Sequence, residues 1–200
     1  MKKMLATAIV ATFLGLGAAY SATVPFVIDF GTTPAGFTVS GATVNNGNCP
    51  FGTAPCSLVN DNSTLTVTNL TSLFTIASAT FRFQGDASGN GVLFEALRLG
   101  SVVGTALFKI GASSGFGDGS LSAGSVPITK KVDYEVMFNG DFAGIDTFRI
   151  TSDNEDKKAA NLRVDTFKGT VAAVPLPAGG LLLLGALGIL GAARRPRKVA

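Results

Sequence analysis

From about residue 22 to residue 173 the chain alternates short runs of β-branched and aromatic residues with breaks of Gly, Asn, Asp and Ser. This rhythm constrains the fold more than any other feature. The runs are VPFVIDF, STLTVTNL, SLFTI, ATFRFQ, GVLFEALRL, GTALFKI, DYEVMF, GIDTFRITS and NLRVDTF. In TLTVTNL and ATFRF apolar residues alternate with polar ones, the period of a strand with one face in a core and the other in water. Only VLFEALRLG could pass for a short helix, and its β-branched, Gly-flanked surroundings favour a strand. Roughly seven to nine strands with no helix between them predict an all-β fold, an antiparallel β-sandwich of jelly-roll type. A segment of roughly 150 residues is large enough to bury a core of its own.

The two ends are of another kind. Residues 1–21 open with Lys2 and Lys3, continue with an apolar stretch from Met4 to about Gly17, and close with small residues at Ala19 and Ser21. This is the layout of a secretory signal peptide cut after Ser21. Residues 174–200 read VPLPAGGLLLLGALGILGAARRPRKVA. The sixteen residues Ala178 to Ala193 carry no charge. As a helix they extend about 24 Å, and the aliphatic stems of Arg194 and Arg195 reach toward the rest of a bilayer core of about 30 Å. The cations Arg194, Arg195, Arg197 and Lys198 hold that terminus in the cytoplasm and leave everything upstream outside. Before the span, Pro175 and Pro177 keep Val174 and Leu176 out of helical conformation, so Val174 to Ala178 stands extended, as a protease substrate must. The domains expected are therefore a signal peptide (1–21), a sandwich (22–173) and a membrane segment (174–200).

Val174, Pro175, Leu176, Pro177 and Ala178, followed by a Gly/Leu-rich span and an Arg-rich end, resemble the VPLPA-type variant of the PEP-CTERM sorting signal. The resemblance implies export in a Gram-negative bacterium, an inner-membrane intermediate, cleavage by an exosortase, and delivery to the cell surface or extracellular matrix in association with exopolysaccharide. Ile28 to Gly31, Leu65 to Leu70, Phe142 to Ile150 and Asn161 to Asp165 are similar in style to strands of the sandwich domains that such proteins carry, which supports the fold and names no ligand.

Charge adds no nucleic-acid partner. The two ends hold six of the sixteen Lys and Arg, while all thirteen Asp and Glu lie between Asp29 and Asp165, so the interior is net negative. Outside the cytoplasm Cys49 and Cys56, separated by six residues in CPFGTAPC, form a small disulfide loop. No His is present, which excludes Ser-His-Asp and Cys-His catalysis and His-containing zinc sites. The acids are scattered in turn-like contexts, so no catalytic residue is assigned and no cofactor is required.

Two binding readings stay open beside the surface-protein reading. The first is a carbohydrate-binding, lectin-like module. Beyond the signal peptide the chain has no Trp and only Tyr134 as a polar aromatic, and its Phe residues fall at alternating strand positions that core packing explains. The second is calcium: GDASGNG places Asp86, Ser88 and Asn90 at alternate positions before Gly91, the beginning of an oxygen-rich cation loop. Its twelfth position is Leu97 and Glu95 is two residues early, so the plainer expectation is a hairpin turn between ATFRFQ and GVLFEALRL.

Overall fold

The computed structural model describes residues 23–41, 43–52, 54–59, 63–85, 90–113, 115–153 and 161–172. The expected signal peptide (1–21), the sorting segment (174–200) with all of its named residues, and Asp86 and Ser88 lie outside the described residues. Residues Thr23–Ala172 form one compact unit. Among the described residues no helix is long and apolar enough to cross a membrane.

The strands are β1 (Thr23–Ile28), β2 (Phe37–Ser40), β3 (Thr43–Asn45), β4 (Cys56–Val59), β5 (Thr64–Asn69), β6 (Phe74–Phe83), β7 (Gly91–Arg98), β8 (Ser101–Lys109), β9 (Phe116–Gly117), β10 (Gly119–Leu121), β11 (Asp133–Phe138), β12 (Thr147–Asp153) and β13 (Leu162–Ala172). They make two antiparallel sheets. The first runs β10-β11-β6-β13-β4-β3, with β1 also paired to β13, and the second runs β2-β5-β12-β7-β8-β9. The long strand β13 therefore has β6 along one side, and β4 and then β1 end to end along the other.

The alternation that suggested strands sets the faces. In β5, Leu65, Val67 and Asn69 are buried between polar Thr residues, and in β12 Phe148 and Ile150 are buried. Phenylalanines from the two sheets meet across the interior: Phe81 of β6 lies 5.8 Å from Phe94 of β7 and 5.8 Å from Phe108 of β8, and Phe148 of β12 meets Phe167 of β13 edge-on at 5.6 Å. Each ring removed from water stabilises the fold by about 2–3 kcal/mol, and edge-to-face contacts add to it.

Some sequence expectations change. SLFTI and ATFRFQ are one strand, because Ser78 and Thr80 pair regularly with β11 and, across two register shifts, with β13. GVLFEALRL is a strand, as expected. The segment between ATFRFQ and GVLFEALRL does not close a hairpin: β6 and β7 belong to different sheets, so it crosses from one layer to the other. The strands FTVS and CSLV are too short to show a period, and they pair in the sheets all the same.

Both open sides of the sandwich are closed by glycine corners where the chain changes sheets. Gly41 joins β2 to β3, and Gly117 joins β9 to β10. Both have left-handed φ, and a Cβ on either would collide with a backbone carbonyl, that of Thr64 or of Thr105. Asp118 staples the second corner. Its backbone N–H donates to Thr105 O at 2.7 Å, its Oδ2 accepts from Thr105 N at 2.9 Å, and its Oδ1 accepts from Asn139 Nδ2 at 3.2 Å.

Candidate functional site

The disulfide loop folds back over the outer face of the first sheet. Cys49 and Cys56 are bonded, with their Cα atoms 5.5 Å apart, and both are buried. The turn Pro50–Gly52 that they frame lies over β6, β11 and β13. Arg82 of β6 and Gln84, just past its end, hold the loop down through its carbonyls: Arg82 Nη1 donates to Cys49 O at 3.2 Å, and Gln84 Nε2 donates to Asn48 O at 3.0 Å. Charged donors on carbonyls are among the stronger local ties.

At the tip stands Phe51, 57% exposed, with φ 51°. A bulky side chain in the left-handed region costs about 1–2 kcal/mol, and an apolar ring in water contributes no burial energy. Backbone strain of this kind recurs at functional sites, which makes Phe51 the candidate contact residue.

Beneath the loop a row of charge crosses the sheet. Asp133 of β11, Arg82 of β6, Arg163 of β13 and Leu58 of β4 are successive cross-strand neighbours. Asp133 Oδ1 takes Arg82 Nε at 2.8 Å, and Arg82 Nη2 donates to Lys131 O at 3.1 Å. Among the described residues Arg163 has no such acid, and its Nε and Nη1 are buried without a hydrogen-bond partner. Burial alone pushes its guanidinium below the usual arginine range. One carboxylate thus faces two guanidinium groups, and the three Arg82 nitrogens are all engaged, by Asp133, Cys49 O and Lys131 O.

The other sequence candidates fare differently. Tyr134 is buried against Phe81 and spends its hydroxyl on Thr129 N (2.8 Å) and Pro127 O (3.2 Å), so it offers no platform. Asn90 is buried at the start of β7, and its carbonyl accepts from Ile110 N at 2.9 Å. Among the described residues no group of three or more acids or cysteines gathers as a metal site. A shallow cleft of about 270 Å³ lies between Gly117–Ser120 and Met137–Asn139. Its carboxylate, Asp118, is already engaged in closing the corner.

Sequence reasoning missed Phe51, Arg82, Asp133 and Arg163. For Phe51 a signal existed: it sits between two cysteines among Pro and Gly, off any alternating run, so core packing never accounted for it. The charge row had no such signal, because its members lie on three strands joined only by register.

No protein-family profile matches the chain, and no curated protein sequence matches it. A low-affinity xylan-binding module, CBM86, from the gut symbiont Roseburia intestinalis is similar in structure at 11% identity, with a TM-score of 0.34, over 74% of this chain and 96% of that one.

Proposed function

We propose that this chain is an exported, non-catalytic surface protein that binds extracellular polysaccharide through the Phe51 loop. The observation that carries the reading is Phe51 itself, exposed, strained and stapled in place by a disulfide. A flat ring packs against the apolar C–H face of a pyranose. A single ring gives modest affinity per sugar, about 10 µM to 1 mM, or roughly −4 to −7 kcal/mol. A long polysaccharide compensates with many repeats.

Its delivery follows from the ends. A secretory leader, a transient inner-membrane anchor at 178–193, and cleavage by an exosortase within or beside Val174–Ala178 would release the sandwich at the cell surface. The strand order supports the jelly-roll reading: β4-β13-β6-β11 stacks on β5-β12-β7-β8, the arrangement of two interlocked Greek keys. Calcium through Asp86, Ser88 and Asn90 is no part of this proposal.

Two experiments test it. Intact mass of the surface-released protein should lack residues 1–21 and the Arg-rich end, and a species retaining Arg194–Ala200 would make the tail a permanent anchor. Purified full-length protein should be retained by acidic or neutral extracellular polysaccharide gels, and a Phe51→Ala variant should pass through. Equal passage of both proteins on every polysaccharide would sink the binding claim.

A further inference from the structure

The opposite end of the sandwich from Phe51 is where the chain enters and leaves. Thr23 pairs directly with Ala172, and Ala172 N donates to Leu73 O at 3.3 Å. Phe74, next in the chain, exchanges hydrogen bonds with Ile145 at 2.8 and 2.9 Å. Asp146 then gathers two more turns. Its carbonyl accepts from Asn69 N at 3.1 Å, its N–H donates to Leu97 O at 3.1 Å, and its Oδ2 accepts from Leu99 N at 2.6 Å. The turns at Leu70–Leu73 and Leu99–Gly100 are thereby fixed beside the point of exit.

These turns are apolar at their tips. Leu99 is 89% exposed and Leu70 74% exposed, and Leu73, Val102 and Val24 are exposed near them. Neither Leu70–Leu73 nor Arg98–Val103 contains an Asp or Glu. The Leu99–Gly100 turn has φ of 52° and 78°, the pair of left-handed residues that a two-residue hairpin normally fills with Asn-Gly. A leucine there is unfavourable twice over, once in backbone strain and once in exposure.

We infer that this end is a membrane-contacting surface, with Leu99 and Leu70 seated in the boundary between head groups and acyl chains of the bilayer. The inference rests on the reading that residues 178–193 anchor the chain. The linker between Ala172 and Ala178 can then extend no more than about 20 Å, which keeps the exit end of the domain near the lipid. Isolated protruding tips suit a fluid surface, which needs no shape complement, better than they suit a rigid partner. Arg98, beside Leu99, adds attraction to anionic head groups. Two ends with two tasks result: one tip for lipid, the other for polysaccharide.

The chain has no Trp, so single tryptophans report cleanly. Full-length protein carrying Leu99→Trp, or Leu70→Trp as a second reporter, would be reconstituted into phosphatidylethanolamine/phosphatidylglycerol vesicles containing brominated lipid. Val132→Trp serves as the control, since Val132 is exposed at the far end, next to Lys131, which donates to Phe83 O at 2.6 Å. Flotation with the vesicles, a blue-shifted Leu99→Trp emission quenched about twofold or more, and an unquenched Val132→Trp are expected from side chains set about 5–10 Å into the boundary. Flotation with water-like, unquenched emission from both exit-end reporters overturns the inference and leaves the anchor standing. A blue shift without bromine quenching also overturns it, because the contact is then with protein. Failure to float removes the anchor, and the inference with it.

Discussion

Phe51 and Leu99 stand at opposite ends of β6 and share one anomaly: each is an exposed apolar side chain held at a left-handed φ, 51° and 52°. Strand β6, ten residues from Phe74 to Phe83, separates the two ends by about 30 Å at roughly 3.3 Å per residue. Both are positions where the sequence departs from what stability alone would select.

That view makes Leu99 replaceable as far as the fold is concerned. Leu99→Asn should raise stability by about 1 kcal/mol, because Asn tolerates the left-handed region and no buried contact is lost. Urea denaturation checks it, and a variant less stable than the parent would mean that Leu99 packs on something the domain needs.

The glycine corners should behave in the opposite way. Gly117→Ala adds a methyl against the Thr105 carbonyl on top of an unfavourable φ, and should cost about 2–4 kcal/mol. Gly124→Ala is the matched comparison, with φ +79° and open space around it, and should cost only about 1 kcal/mol. Equal costs in the two variants would show that the chain crossing at Gly117 relaxes freely.

Acid should loosen the same corner. The Thr105 N–H and then the Asn139 amide hold the Asp118 carboxyl below its ordinary value. A depressed carboxyl contributes stability that is fully present above the unfolded value of about 3.9 and is lost as pH falls through the folded value. Between neutral pH and about pH 3, the parent should therefore lose more stability than Asp118→Asn, whose side chain does not titrate. Parallel pH profiles for the two proteins would remove Asp118 from the corner's energetics.

How much of this was legible in sequence varies with how local the cause is. Strand β11 was read at its own boundaries, and β7 was recognised as a strand despite its helical look, because alternation and glycine flanks are local signals. The disulfide was legible from spacing and from the export that the amino terminus led us to expect. The division of β6 into two runs failed because Ala77–Ser78 looks like a break in one dimension, while in the sheet Ser78 is buried between neighbouring strands. The supposed hairpin after β6 failed for a related reason: a turn-rich segment does not say whether its flanks pair with each other or change layers. Arg82 and Arg163 became neighbours only through register, which no single run of residues encodes.

Reducing the disulfide should separate stability from binding. By the chain-entropy estimate, closing so short a loop contributes about 2 kcal/mol, and the Phe-rich core is untouched by its loss. The reduced protein should melt at a lower temperature and remain folded, while polysaccharide retention drops because Phe51 is no longer held. Unfolding on reduction would show that the loop is part of the core's cooperativity, and undiminished retention would detach the loop from binding.

The central claim is met most directly by titrating one retained polysaccharide into parent and Phe51→Ala proteins by calorimetry, with urea midpoints measured on the same samples. The predicted result is a loss of affinity of about tenfold or more, roughly 1.4 kcal/mol, with no decrease in the urea midpoint. The same affinity in both proteins would contradict the account.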